Sequence, residues 1–225
     1  MKSDDFNGAA GELPNDNNWE LVTNVKVNNE LQDYTTSNRN LQRSGGNTLQ
    51  IVPWYEGNRW TSGRVESKYE FTPTSGSVTM VEASIRFGDN PTVNKRGYWP
   101  AFWLLGAAIR NGVDWPRCGE IDILETVNGQ LEGFGTVHCD IYPGAPATNP
   151  WAQTITWYRD EQQFHQISGA AIASEGIWKT LAQAPLFFIL NVAVGGNLPG
   201  DPDSNTRDGY GSMMEVGYVA HYVQS

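Results

Sequence analysis

Three carboxylates fall within the six residues from Glu120 to Glu125, interleaved with Ile and Leu side chains. β-Branched residues at this density favour a strand over a helix. Side chains on a strand alternate between its two faces, so Glu120 and Asp122 share a polar face while the apolar residues point into a core. Strict alternation would place Glu125 on the wrong face. One extra residue at Ile123-Leu124, a β-bulge, would return it to the polar face, and we predict that bulge.

Carboxylates crowded on one face repel one another and add nothing to stability. Neighbouring carboxyl groups cannot all ionise equally, so their pKa values separate and one group holds a proton near neutral pH. Hydrolysis of a glycosidic bond needs such a pair, with one charged nucleophile or base and one protonated acid. The alternative is a surface strand whose acids face water, and the acid spacing alone does not exclude it.

The elements that must position these acids are predicted to be β-strands. The chain has 225 residues, with 24 Gly, 12 Pro, 9 Trp and 18% charged residues, which is typical of a turn-rich all-β protein. A β-sandwich of about 200–250 residues is often one domain, so we expect a single domain over 1–225. The net charge of −10 argues against binding to nucleic acid or to an acidic membrane through a basic patch. No apolar run approaches the roughly 18 residues of a membrane helix.

A hairpin is predicted after the acidic strand, because Asn128-Gly129 is a strong type I′ turn signal. The predicted bulge shifts the alternation, which places His138 of the partner strand on the Glu120 face. It also places Cys118 and Cys139 on opposite faces. A disulfide between these two residues would suit a secreted protein, and the sequence leaves their pairing open.

Tryptophans precede the acidic strand. Trp99 and Trp103 have even spacing on a predicted strand and therefore share a face, and Trp115 lies closer to the acids. Core packing is the usual fate of tryptophan. Apolar faces of sugars also stack on aromatic rings, so these residues are candidates for a stacking platform.

Other catalytic classes lack their signatures. The three histidines are well separated and show no zinc-binding spacing. The chain has no Gly-x-Ser-x-Gly elbow and no phosphate-binding Gly-rich loop.

Two further elements are predicted: one helix from Ser174 to Ala184, and a central buried strand from Pro185 to Leu190 that is apolar on both faces.

Several motifs occur in order along the chain. They are Asp5-Phe6-Asn7-Gly8, Asn29-Glu30-Leu31-Gln32, Ser62-Gly63-Arg64, Trp99-Pro100-Ala101-Phe102-Trp103, Gly119-Glu120-Ile121-Asp122-Ile123-Leu124-Glu125, Gly135-Thr136-Val137-His138-Cys139 and Asn191-Val192-Ala193-Val194-Gly195-Gly196. Together they resemble glycoside hydrolase family 16, especially the laminarinase-like endo-β-1,3(4)-glucanases of fungi. The resemblance extends to the last predicted strand.

The resemblance implies a β-jelly-roll sandwich of the concanavalin A type, in which two antiparallel sheets form a concave substrate cleft. It also implies retaining hydrolysis, with Glu120 as the nucleophile, Glu125 as the general acid/base and Asp122 tuning the nucleophile. The bulged motif favours the laminarinase-like branch over the lichenase-like branch, whose motif is one residue shorter. The residues implied to stack on or hydrogen-bond to sugar are Asn29, Arg64, Trp99, Trp103, Trp115 and His138.

The sequence departs from the family pattern in three places. Members usually carry a further strand-forming stretch before Thr154, which this sequence lacks. Compared with the family pattern, the chain therefore has an apparent internal deletion near 150–152, and we expect about two strands of the sandwich to be missing. Either the sandwich closes differently or the sequence is an incomplete form. The chain shows no secretory signal at its start, although the family is typically secreted. Gly217 stands where many members have a Ca²⁺-binding Asp, so we expect no cofactor, and a structural Ca²⁺ is not supported.

The leading hypothesis is therefore a retaining endo-glycosidase that hydrolyses β-1,3 or mixed β-1,3/1,4-glucan. One alternative is a β-glucan transglycosylase, and the other is a glucan-binding protein whose catalysis is impaired by the deletion. We expect a monomer, secreted or in the cell wall, whose partner is a β-glucan and which has no nucleic-acid or membrane partner.

Overall fold

The computed structural model describes residues 2–139, 153–172 and 175–224. Within these ranges the chain forms 16 strands and one α-helix, α1 (Glu175–Ala182), so the all-β prediction is confirmed. The same ranges contain no helix with the length and apolar character needed to cross a membrane. The strands are β1 (Ser3–Asp4), β2 (Trp19–Leu21), β3 (Gln32–Tyr34), β4 (Leu41–Arg43), β5 (Leu49–Ile51), β6 (Trp54–Glu56), β7 (Arg59–Ser62), β8 (Arg64–Phe71), β9 (Val78–Phe87), β10 (Tyr98–Gly106), β11 (Glu120–Glu125), β12 (Phe134–His138), β13 (Thr154–Arg159), β14 (Gln162–Ser168), β15 (Leu186–Val194) and β16 (Met214–Gln224).

Two large antiparallel sheets dominate the fold. The front sheet has the order β12-β11-β10-β15-β8-β2 and carries the acidic strand β11. The back sheet has the order β1-β16-β5-β4, with β9 also paired to β16. Two small sheets accompany them: the hairpin β13–β14, and the sheet β3-β7-β6, in which β3 and β7 run parallel.

The main core lies between the two large sheets. The front sheet contributes residues such as Phe102, Phe188 and Leu190, and the back sheet contributes residues such as Ile51 and Met214. Strand β15 is buried at every position and lies between β10 and β8. The prediction of a central buried strand is therefore confirmed, and its second buried face belongs to the side of the front sheet that carries the acids.

The predicted turn at Asn128-Gly129 and the predicted helix are both present, but the turn lies in a longer connection than expected. Asn128 and Gly129 have φ values of 58° and 67°, which is the left-handed geometry that a type I′ turn requires. However, the flanking strands stop at Glu125 and resume at Phe134, so the connection is longer than the tight hairpin we predicted. Helix α1 is confirmed, whereas its predicted capping residue Ser174 lies outside the described residues.

Two other predictions concern chain connectivity. Cys118 and Cys139 carry thiols rather than a disulfide. Cys118 is buried with Leu105 and Phe187, whereas Cys139 contacts the main core, so the predicted opposite orientations explain the lack of a bond. The predicted deletion near 150–152 lies outside the described residues.

Candidate active site

The three acids lie on the face of the front sheet that points away from the main core. In the β10–β11 ladder, Glu120 is opposite Leu105, Asp122 is opposite Trp103, and Glu125 is opposite Ala101. The three β10 residues are spaced by two and therefore share a face, and residues directly opposite one another in a ladder share that face as well. The prediction that the three acids face the same way is confirmed.

The predicted bulge makes this possible. On β10, Phe102 and Trp103 are consecutive, but their partners on β11 are Leu124 and Asp122, so Ile123 is the extra residue. The β11–β12 ladder shifts at the same place, between Asp122 and Glu125. A bulge frees backbone groups from the ladder. Here the buried Trp157 donates its indole N–H to the carbonyl of Asp122 at 2.6 Å, which stabilises the bulged backbone.

Two positions next to the acidic strand, Gly119 and Gly135, have backbone or packing constraints that only glycine meets. Gly119 has a φ of 82° immediately before Glu120, a conformation that side-chain-bearing residues rarely adopt. Gly135 lies under Trp157, and a Cβ at this position would be 2.6 Å from the indole ring. The hairpin β13–β14, which carries Trp157, is therefore fitted directly against the acidic strand.

Glu120, Asp122 and His138 form a tight cluster. His138 is directly opposite Glu120 in the β11–β12 ladder, as predicted. Its Nε2 atom is 3.3 Å from Asp122 Oδ2 and 3.7 Å from Glu120 Oε1. Asp122 is 4% exposed, and its Oδ2 accepts no hydrogen bond of good geometry from the described residues. The imidazole of His138 therefore lies within 4 Å of a carboxylate oxygen of both Asp122 and Glu120.

Burial raises the pKa of all three carboxyl groups. Burial, followed by repulsion from Asp122, raises the pKa of Glu120 to about 8. The same two causes raise the pKa of Glu125 to about 7. Burial also raises the pKa of Asp122, and His138 opposes this shift. The interaction with Asp122 in turn raises the pKa of His138. The site therefore retains protons at neutral pH, which is what acid catalysis requires.

Two of the predicted stacking residues also orient polar groups. Trp99 donates its indole N–H to Glu125 Oε1 at 2.9 Å. Trp103 donates to Asn191 Oδ1 at 2.8 Å, and the guanidinium carbon of Arg64 lies 5.0 Å from the centre of the Trp103 ring. These contacts give both indoles a hydrogen-bonding role that the sequence did not indicate.

Trp115 has the most open ring of the three predicted stacking residues. It is 53% exposed, and its ring centre lies 5.6 Å from that of His138. Its side chain also hydrogen-bonds Glu120, an interaction that lowers the pKa of that carboxyl against the effect of burial. Trp115 therefore borders the acid cluster while most of its surface faces solvent.

The two remaining predicted site residues are Arg64, on β8, and Asn29, in a loop. Arg64 is 8% exposed and donates to Glu66 Oε1 from Nη2 at 2.6 Å and from Nε at 3.0 Å. Asn29 lies in a loop with a φ of 58° and donates to Asn197 Oδ1 at 2.8 Å. The structure thus brings Arg64 against the tryptophan platform and places Asn29 near the end of β15.

A chain of polar side chains was not predicted. Asn191 lies opposite Ala101 and Arg64 in the front sheet, which places it on the acid-bearing face. Its Nδ2 donates to the Tyr34 hydroxyl at 3.1 Å, and that hydroxyl lies 3.5 Å from Glu30 Oε2. The available signal was an asparagine within a strand that is otherwise apolar, because a buried polar residue there needs partners.

The raised pKa values predict how stability depends on pH. The folded state binds protons more tightly at Glu120 than the unfolded state does, so the free energy of unfolding falls as pH rises from about 4.5 towards about 8. We expect Glu120→Gln to stabilise the protein at pH 8 by on the order of 1–3 kcal/mol, and to have little effect at pH 4. Urea unfolding at the two pH values measures this. Glu132→Gln, at an exposed position, is the matched control and should show no such pH-dependent gain.

Comparison with known proteins adds to this geometry. The family description "XgeA-like, catalytic GH16 domain" matches residues 23–171. The chain is 31% identical over 246 residues to the glucan endo-1,3-beta-glucosidase of Cryptopygus antarcticus, covering 96% of this chain and 88% of that protein. It is 29% identical over 216 residues to the clotting factor G alpha subunit of Tachypleus tridentatus, covering 87% of this chain but only 30% of that protein.

A solved structure shows the same fold. The endo-1,3-beta-glucanase from Streptomyces sioyaensis superposes with a TM-score of 0.91 and 30% sequence identity, covering 100% of this chain and 96% of that chain. The predicted jelly-roll sandwich is therefore confirmed. The organisms named here are arthropods and a bacterium, so they do not support the predicted fungal affiliation.

Proposed function

The chain belongs to glycoside hydrolase family 16, and from this premise we propose that it is an endo-glycosidase that hydrolyses β-1,3 or mixed β-1,3/1,4-glucan. The observation that carries the proposal is the acid triplet held on one face by the bulge, with raised pKa values for Glu120 and Glu125. The printed names of the Cryptopygus and Streptomyces relatives support a β-1,3-glucan substrate.

We propose for these acids the catalytic roles that the resemblance to glycoside hydrolase family 16 implies. In the first step, Glu125 gives its proton to the glycosidic oxygen while a carboxylate oxygen of Glu120 bonds to the anomeric carbon and the sugar leaving group departs. In the second step, Glu125 removes a proton from water, the water oxygen bonds to the anomeric carbon, and Glu120 is released as a carboxylate. The product therefore retains the configuration of the substrate.

Glu120 must be ionised to attack, although burial and Asp122 raise its pKa to about 8. Positive charge develops on the sugar ring in the transition state, and an adjacent positive charge favours an ionised carboxylate. The reactive form is therefore the one in which Glu120 is ionised and the proton lies on His138, whose pKa is raised by Asp122. Glu125, whose pKa is raised to about 7 chiefly by burial, stays protonated below neutral pH and serves as the acid.

Neither alternative activity is favoured by a specific contact. The full acid triplet is close-packed on one face, which is costly for stability and is expected in a hydrolase rather than in a binding protein. A transglycosylase would use the same groups and differ in its acceptor.

We further propose that residues 1–225 form one catalytic domain without a resident metal or cofactor. On this proposal it acts as a monomer on polysaccharide outside the cell or in the cell wall.

The test is incubation with laminarin, mixed-linkage β-glucan and a β-1,4-glucan, with reducing ends and product lengths followed and folding checked by circular dichroism. We expect a ladder of oligosaccharides from the first two substrates and none from the third. Release of glucose alone would contradict endo action. Products longer than an oligosaccharide substrate would identify a transglycosylase, and a folded but inert sample that binds glucan would identify a binding protein.

Stacking on Trp115 can be tested through KM, with Trp115→Phe as a second variant that keeps an aromatic ring and removes the hydrogen bond to Glu120. We expect Trp115→Ala to raise KM on laminarin by about 5–10-fold, since loss of an aromatic contact costs about 1 kcal/mol. The melting temperature should not change, because the side chain is largely exposed. Tyr222→Ala removes an equally exposed ring from the back sheet and should leave KM unchanged. Equal effects of the two substitutions would contradict the stacking role.

A further inference from the structure

We propose that Glu120, Asp122 and His138 bind a divalent transition-metal ion of the zinc type, and that this ion blocks glucan hydrolysis. The binding site stands on the geometry of the cluster, whereas the inhibition rests on the hydrolase function proposed above. The ion would act as an inhibitor and not as a cofactor.

The distances within the cluster fit a zinc ion. Two ligand atoms that are each about 2.0–2.2 Å from a tetrahedral zinc ion lie about 3.3–3.6 Å from one another. His138 Nε2 is 3.3 Å from Asp122 Oδ2 and 3.7 Å from Glu120 Oε1. All three ligand atoms lie within 4.8 Å of one another. Side-chain shifts of about 1 Å or less would therefore bring all three into contact with one ion.

A second observation points to a ligand. Asp122 is only 4% exposed, yet its Oδ2 has no hydrogen-bond donor of good geometry within the described residues. A buried carboxylate oxygen whose one close N–H group, on His138 at 3.3 Å, is poorly aligned is incompletely satisfied. The same oxygen is the atom that faces His138 Nε2. A cation between these two atoms would displace the proton that Asp122 favours on His138, satisfy the oxygen and use the imidazole lone pair.

The donor set selects the class of ion. One imidazole nitrogen with two carboxylate oxygens suits zinc and its transition-metal neighbours, whereas calcium and magnesium prefer oxygen ligands alone. Three protein ligands leave a fourth tetrahedral position for water. The His138 side chain is 40% exposed, so an ion can approach from the solvent side of the cluster.

Binding would prevent the reaction through Glu120. A carboxylate oxygen that coordinates a metal ion cannot form a bond to the anomeric carbon at the same time. The ion and the sugar would therefore exclude one another, and zinc inhibition should be competitive with glucan.

The test is calorimetric titration of zinc chloride into chelator-treated protein. We expect one zinc ion per chain, displaced by a laminarin oligosaccharide. His138→Gln and Asp122→Asn should each weaken binding by more than about 100-fold, because even outer partners of a metal site typically contribute about 10–100-fold. His165→Gln removes an exposed histidine from β14 and should bind zinc as the parent does.

Several results would overturn the inference: no zinc binding by the parent, binding unchanged in both His138→Gln and Asp122→Asn, or binding that the oligosaccharide leaves unaffected. Circular dichroism identifies a variant that fails to fold, in which case the other variant and the competition experiment decide. Because calorimetry does not depend on turnover, hydrolysis without zinc binding rejects only this inference. Zinc binding without hydrolysis rejects only the proposed function.

Discussion

Glu120→Gln should lower kcat on laminarin by on the order of 10⁴-fold or more, because an amide cannot form the glycosyl-enzyme bond and loss of a nucleophile is among the largest effects of single substitutions. The substitution preserves side-chain size and removes like-charge repulsion from Asp122, so folding should be retained. Binding of a laminarin oligosaccharide, measured by calorimetry, should be retained as well.

The matched control is Glu132→Gln, which makes the same charge change at an exposed position in the loop between β11 and β12. It should hydrolyse laminarin at the parental rate. A folded Glu120→Gln protein with more than about 1% of parental activity would contradict the nucleophile assignment, given the magnitude expected for such a group.

Glu125→Ala should lower laminarin hydrolysis by about 10²–10⁴-fold, the usual contribution of a general acid. The loss should be much smaller on an aryl β-glucoside whose leaving group needs no protonation. Addition of azide should restore turnover, because azide attacks the glycosyl-enzyme without help from a general base. Since that attack inverts the bond to Glu120, the product should be a β-glycosyl azide.

The anomeric configuration separates the two glutamates. In Glu120→Ala, azide would replace the missing nucleophile directly and give an α-glycosyl azide. Proton magnetic resonance of the products distinguishes the two anomers. If the anomers are exchanged between the two variants, the roles of Glu120 and Glu125 are reversed. This test also shows whether the reaction retains configuration, because an inverting enzyme forms no glycosyl-enzyme for azide to intercept.

Features that depend on local alternation could be predicted from the sequence. The period of two along β11 required a bulge to bring Glu125 to the face of Glu120, and the structure has the bulge at Ile123. The same alternation of side chains, counted through the bulge, placed His138 on the face of Glu120, and the structure has the two residues opposite one another. The apolar run that forms β15 identified the central strand, because burial on both faces removes polar residues from the sequence.

Features that depend on contacts distant in sequence could not be predicted. Trp157 supports the bulge from a separate hairpin, and the link between Tyr34 and Asn191 joins residues 157 positions apart. The histidine spacing gave no metal signal, because the ligand cluster combines His138 with two carboxylates across a strand pair. The hydrogen bond from Trp99 to Glu125 also depends on ladder register, which composition does not reveal.

The bulge has a consequence for how such genes can change. Deletion of the codon for Leu124 would leave Glu-x-Asp-x-Glu, a regular strand on which strict alternation still directs all three acids to one face. The bulged and the regular forms therefore differ by a single codon, and neither form turns an acid into the core. A lineage can gain or lose this codon without passing through an ancestor whose acids face opposite ways. The length of the motif can therefore change by one residue while the orientation of its acids stays the same.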